Sequence, residues 1–244
     1  MLAHIRASGY TCPTFSQWGG SSSASLCCLL RHDVDVNLEF AARMAAIEHE
    51  LGFSATYFVM FRSPLYNLMS RHGAKSIARI RDFGHQVALH FDCDAVARGE
   101  RDVEEWLDFE LDSLGFILGE RVTAFSLHQP TAEVIARQIA RPGVINTYHP
   151  EHMRGLRYLS DSNRDWRGRD PLEEMQRADS GLQLLTHPMW WMCEGDIPSC
   201  WNEAILSNVK EAQRQLLATE RAYGAARKFH VTQPQGSNEA PHEH

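Results

Sequence analysis

Two aspartates one residue apart, Asp33 and Asp35, close an apolar run that begins at Leu26. On an extended strand, side chains two apart share a face, so both carboxylates project together from the strand end. Brought side by side and withdrawn from water they repel, and a cation, or a proton held on one of them, relieves the conflict. Solvation of both at a strand-end turn is the competing reading, and the pair alone does not decide. The wider pattern does. His90 and Asp92 close a second apolar segment, His128 a third, Asp161 a fourth and His187 a fifth. Any one of these histidines, taken singly, reads as a satisfied structural residue; the set reads as one site. Asp and neutral His are ligands for zinc and similar divalent metals, and a catalytic metal usually takes three protein ligands and keeps a position open for water. The chain supplies one aspartate and two histidines for that purpose and leaves other groups for proton transfer.

For these residues to converge, the segments that carry them must run side by side in one direction. Strands are predicted over 26–35, 54–60, 86–90, 122–128, 144–148, 156–159 and 182–186, where β-branched and aromatic residues concentrate. Between them the apolar spacing predicts helices over 75–83, 104–118, 132–140 and 172–178, with another running from an Asn37 cap to Leu51. A short helix over 2–7 precedes them and a long one over 202–227 closes the chain. Gly19 to Ser23 reads as a flexible connection. Strands alternating with helices imply parallel βαβ units. About seven of them in one domain read as an α/β fold of the (β/α)7-type distorted barrel, with parallel strands and outer helices, rather than as an open sheet. The C-terminal strand ends of such a barrel meet at one mouth, which carries the chemistry. Residues 1–231 read as this single domain and 232–244 as a tail disordered by composition.

Composition excludes several classes of function. With 244 residues, 43% hydrophobic and 23% charged, the chain can build one full core. Its net charge is -7 and no basic stripe interleaved with aromatics appears, which argues against nucleic acid as a partner. No apolar run approaches the roughly 20 residues of a membrane span. Met1 to Arg6 lacks the apolar core of a signal peptide. The six cysteines form no CxxC pair, so a zinc site on Cys193 and Cys200 is unsupported and the thiols read as reduced, in a cytoplasmic protein.

At these residues the chain resembles the polysaccharide deacetylase family, from about Leu29 to Trp191. His32-Asp33-Val34-Asp35 is similar to the family's first motif, whose first aspartate is the catalytic base and whose second binds the metal. Gly84 to His90 resembles the lead-in to the second motif, whose first histidine is a metal ligand. Leu184-Leu185-Thr186-His187-Pro188 resembles the last motif, whose histidine is the general acid. A bacterial subgroup also shares Ser160-Asp161-Ser162, Trp166-Arg167 and His187-Pro188-Met189-Trp190-Trp191. There are two departures. The second motif's later histidine is replaced by Asp94, and His128-Gln129-Pro130 stands where the third motif has Arg-Pro-Pro, losing the arginine that tethers the base. His128 is preferred over Asp94 as third ligand because it ends a strand, whereas Asp94 falls in a loop.

The resemblance implies a metal-dependent hydrolase that removes an N-acyl group, N-acetyl foremost, from a carbohydrate or sugar conjugate. The ion, zinc or else cobalt, nickel or manganese, is expected on Asp35, His90 and His128. Asp33 is the expected base, His187 the expected acid, and Asp161 or Asp92 the group that orients a histidine; a solvated loop carboxylate is the competing reading for Asp92. Trp166, Trp190 and Trp191 offer flat apolar faces to a sugar, with Arg167 near an anionic group, though core or lid packing accounts equally well for any one tryptophan. Two alternatives stand beside this: amide hydrolysis on a substrate other than a sugar, and a metal- or sugar-binding protein without turnover.

Overall fold

The computed structural model describes residues 1–20, 26–93 and 102–219. Its centre is β1 (Cys28–Val34), buried along its whole length. Around it lie β2 (Thr56–Val59), β3 (Gln86–Asp92), β4 (Ala124–His128), β5 (Ile145–Asn146), β6 (Leu156–Ser160) and β7 (Gly181–Thr186). All six pairings are parallel, in the order β5-β4-β3-β2-β1-β7-β6. That is the cyclic order of a seven-stranded barrel opened between β5 and β6, and the sheet curls into a half-barrel of the distorted (β/α)7 type. Parallel neighbours need long crossovers. These carry α3 (Leu38–Glu50), α4 (Arg71–Asp82), α5 (Val103–Leu118), α6 (Ala132–Ala136) and α7 (Pro171–Gln176). Helices α1 (Leu2–Ala7) and α2 (Phe15–Trp18) precede the sheet, and α8 (Pro188–Met192) and α9 (Ile197–Thr219) follow it.

Strand alternation divides the core in two. Leu29, Phe58, Ala88, Ala124 and Ile145 fill the concave side with Phe15, while Cys28, Leu30, Val34, Tyr57, Val59, Val87, Leu89 and Phe125 face the helix layer. Helix α2 plugs the end of the half-barrel opposite the mouth. Its Phe15 ring is fully buried and meets Phe58 edge to face, 5.4 Å between centroids. Burial on that scale contributes about 2–3 kcal/mol. The plug is fastened by backbone bonds from Phe15 to Thr56 (3.1 Å) and Ser16 to Gln86 (2.9 Å), at the starts of β2 and β3. Sequence periodicity had no purchase on a four-residue helix. Its one local signature is the capping box between Thr14 and Gln17.

Boundaries elsewhere shift by a few residues. Helix α4 starts at Arg71, four residues before the predicted Lys75, because Ser70 caps it by accepting from Gly73 N–H (3.0 Å). A Cβ at Gly73 would collide with the Asn67 carbonyl, so the close approach needs glycine there. Helix α9 starts at Ile197 rather than Asn202, and its predicted end at Arg227 lies outside the described residues, as do Asp94, Ser21 to Ser23 and the tail from 232.

The outer face of β1 holds a buried polar network. His32 Nε2 meets Glu48 Oε1 at 2.8 Å, His32 Nδ1 meets Thr186 Oγ1 at 2.7 Å, and Tyr57 O–H donates to Glu48 Oε2 at 2.6 Å. This ties α3 to three adjacent strands. Burial pushes the Glu48 carboxyl up, but the His32 charge and the bonds from His32 and Tyr57 outweigh it and hold it below its ordinary value. A carboxyl held low stabilises the fold above its unfolded pKa, and that contribution is lost as pH falls through the folded one. Glu48→Gln is therefore expected to cost about 3–5 kcal/mol at pH 7, the usual cost of removing one partner of a buried pair. The gap should narrow once pH drops below the ordinary glutamate value of about 4.3. Urea unfolding of both proteins at pH 7 and pH 3.5 measures it, and equal stability at pH 7 would contradict the role given to this network.

Candidate active site

The inner face of β1 presents Arg31 and Asp33, and Asp35 follows one residue beyond the strand end. Register then sets the neighbours: Asp33 beside Phe58, His90 beside Ser126, Asp92 beside His128, and Arg31 beside Leu185. Three of these side chains converge. Asp35 Oδ1 lies 3.1 Å from His90 Nε2 and 3.4 Å from His128 Nδ1, and the two ring nitrogens are 3.1 Å apart. Asp35 Oδ1 is buried and receives no hydrogen bond. Corners of a tetrahedron around an ion bound at 2.0–2.1 Å are about 3.3–3.4 Å apart, so the three donors match one face of such a coordination shell. Asp35, His90 and His128 thus fit a divalent cation in donor type, spacing and the unpaired oxygen aimed at its position. Burial pushes the Asp35 carboxyl up, but His128 beside it and the His187 charge hold it below the ordinary range.

Asp33 sits deeper and is gripped differently. Arg31, two residues back on the same face, donates from Nε to Oδ1 (2.9 Å) and from Nη2 to Oδ2 (2.7 Å). The guanidinium is fully buried and lies over the Tyr148 ring at 4.9 Å. Burial pushes the Asp33 carboxyl up, but the Arg31 charge and its hydrogen bonds hold it below its ordinary value. Ser126 completes the support: its hydroxyl is 3.3 Å from Asp33 Oδ1 and 2.6 Å from His90 Nδ1. A carboxylate only accepts, so the serine hydroxyl donates to Asp33 and accepts from His90 Nδ1–H. That fixes the tautomer with the Nε2 lone pair turned towards Asp35 and His128. The tether assigned by the family pattern to a third-motif arginine is supplied here from within β1. Sequence reading missed Arg31 and Ser126, though each stands two residues before a named site residue, Asp33 and His128, on the same strand.

His187 caps the third side. Its Nδ1 meets Asp161 Oδ1 at 2.6 Å and its backbone N–H donates to the same carboxylate at 3.1 Å, while Nε2 lies 3.9 Å from Asp35 Oδ2. Trp191 Nε1–H donates to Asp161 Oδ2 at 2.8 Å, so Trp191 braces the carboxylate rather than facing the cavity. Burial pulls the His187 imidazolium down, but the Asp161 hydrogen bond and the Asp35 charge outweigh it and hold it at about 9. Asp92 lines the cavity, and its charge, behind that of the adjoining Asp35, helps hold His128 above the ordinary histidine value against burial.

Above these groups opens a cavity of about 800 Å³. Tyr148, Tyr158, Trp190 and Trp201 supply its aromatic wall, and Arg167 reaches it from the loop after β6. Trp190 carries a buried Nε1–H that has no hydrogen-bond partner among the described residues. Trp166 does not line the cavity; it packs partly buried against the main core. Trp201, absent from the sequence reading, takes a place on the wall because α9 starts early enough to bring it there.

The half-barrel has counterparts among solved structures, and its fold is similar to that of the CE4 deacetylases and esterases. A Streptococcus mutans CE4 esterase matches at a TM-score of 0.50 and 13% identity, over 86% of this chain and 91% of that one. A chitin deacetylase from the fungal pathogen Colletotrichum lindemuthianum matches at 0.45 and 13%, over 74% and 81%. A peptidoglycan deacetylase from Bacillus subtilis matches at 0.43 and 15%, over 82% and 95%. No protein-family model matches the chain, and no curated protein matches it in sequence.

The geometry separates the three-donor cluster from Asp33 experimentally. After loading with a divalent metal and dialysis, His128→Ala should lose most of the ion while Asp94→Ala keeps it; metal analysis of both reads the choice of third ligand, and the reverse result would reassign it. Asp33→Asn should keep the metal but cost about 3–5 kcal/mol of stability, because it leaves Arg31 buried without its counter-charge. Thermal unfolding beside metal content measures that difference.

Proposed function

We propose that this chain is a metal-dependent hydrolase that removes an N-acyl group, N-acetyl foremost, from a carbohydrate substrate. The observation that carries this reading is the flanking of one three-donor cluster by two separately tuned proton carriers, Asp33 and His187. A cluster built only to bind a metal needs neither. A divalent cation on Asp35, His90 and His128, zinc first among the choices, supplies polarisation of the amide carbonyl and acidification of a water. Asp33, held ionised by Arg31, takes the proton of the attacking water. Arg31 and Ser126 keep its carboxylate from turning away. His187, with Nδ1 committed to Asp161, presents Nε2 to the departing nitrogen and protonates it, so that the amine leaves neutral. The tryptophan and tyrosine walls give a sugar ring apolar faces, with Trp190 Nε1–H free to donate to one of its oxygens. The same reading keeps the chain in the cytoplasm, consistent with six unpaired thiols.

The departures from the family's second and third motifs favour one rival, a binder without turnover. His187→Ala tells them apart, since His187 is not among the three donors. Single-turnover acetate release from an N-acetylated oligosaccharide should fall by on the order of a hundredfold or more, with metal content near wild type. Equal rates in wild type and variant would end the hydrolase reading, and a joint loss of rate and metal would place His187 among the ligands.

A further inference from the structure

We infer that Arg167 makes this site selective for sugars that carry an anionic group, a carboxylate or a phosphate, in addition to the acylated nitrogen. The inference rests on the hydrolase reading for its position in the reaction, but its own evidence is the state of one guanidinium. Among the described residues that line the cavity, Arg167 is the one cation other than histidine. No hydrogen bond or ion pair engages its side chain among the described residues; only its backbone N–H is used, donating to Asp165 Oδ1 at 2.7 Å. Its neighbours in the same loop differ. Arg164 is spent on the Gly195 carbonyl and on Cys200 Sγ, and Arg169 on the Tyr158 carbonyl (2.7 Å) and Glu174 (3.1 Å). Those bonds fasten the loop at both ends and leave the arginine between them unused.

The loop is also held in a conformation that side chains avoid. Asn163, Arg164 and Arg167 all have left-handed backbone, with φ of 58°, 54° and 55°. Such residues persist only where the surroundings over-determine them, and they gather at ligand clamps. Here the effect is to carry Arg167 to the cavity beside Tyr158 and Trp190. Electrostatics give the cation a task. The chain has a net charge of -7, and Asp92 lines the cavity beside the three-donor cluster. A guanidinium that no carboxylate among the described residues neutralises offsets that charge where an anionic substrate meets the cavity wall. A planar, permanently charged guanidinium meets a carboxylate or a phosphate with two parallel hydrogen bonds, which a neutral sugar cannot return.

The test uses zinc-loaded full-length protein and matched sugars: neutral N-acetylglucosamine, its 6-phosphate and its uronic acid, each also as the deacetylated amine. Calorimetric binding of the amines requires no turnover, and acetate release from the acetylated forms reports the reaction. Wild type is expected to bind at least one anionic amine at least tenfold tighter than the neutral one. In Arg167→Ala that ratio should fall towards one, and in Arg167→Lys it should be intermediate. The phosphate and uronate arms tell which anion is meant. Equal affinity for neutral and anionic sugars in wild type, no binding of either anionic sugar, or an unchanged ratio in Arg167→Ala overturns the inference. Acetate release with no dependence on Arg167 leaves the hydrolase reading standing while this one fails. An Arg167-dependent affinity without acetate release does the opposite.

Discussion

Arg31 is fully buried at the centre of the half-barrel, and a buried guanidinium must be neutralised where it stands. Asp33 does this with two bonds from two residues away on the same strand. Much of the site follows from that pair. Asp33 is fixed in charge and in direction; Ser126, bound to it, can only accept from His90; and His90 is left with Nε2 as its free lone pair. The donor that faces Asp35 and His128 is therefore chosen by a salt bridge that touches neither. A pair so deep is not there for stability alone, since apolar residues of similar volume would serve as well or better. What it adds is a carboxylate held ionised and fixed in direction.

The two aspartates of the first motif consequently live in different environments one residue apart. Asp33 is inside the strand and held by three hydrogen bonds; Asp35 is beyond its end, with one oxygen unpaired and two imidazoles against it. The histidines are divided in the same way. His90 is oriented by a hydroxyl and His187 by a carboxylate, and the carboxylate raises His187 to about 9. A ring whose second nitrogen is turned to the cluster and a ring held protonated are the arrangements suited to a metal ligand and to an acid.

Strand β1 performs a second task with its other face. His32, between Arg31 and Asp33, points outward to Glu48 and Thr186, so consecutive residues supply two buried charge networks on opposite sides of one strand. Thr186 precedes His187, and Trp191 on α8 braces the Asp161 that holds His187. The outer helix layer is thereby connected to the His187 side of the mouth. The Asp33 side depends instead on the neighbouring strands β3 and β4.

The sequence by itself determined the architecture and most of the site's cast. Strands of the right composition alternate with helices, and Asp33, Asp35, His90, His128, Asp161 and His187 all stand at or beside strand ends, because a period of two and the parallel crossover rule leave few other arrangements. Tertiary structure decided what those rules do not carry. Arg31 was legible only as the flank of a motif, since its value lies in being buried, and burial of a charge is visible only once the barrel closes around it. Ser126 acts through two residues 93 and 36 positions away in sequence, a relation that exists only through the register of neighbouring strands. Trp166, Trp190, Trp191 and Trp201 look alike in sequence, yet one packs on the core, one braces a carboxylate and two wall the cavity. A tryptophan's role is set by which way its helix or loop turns, and that is fixed by packing between elements rather than by the local pattern.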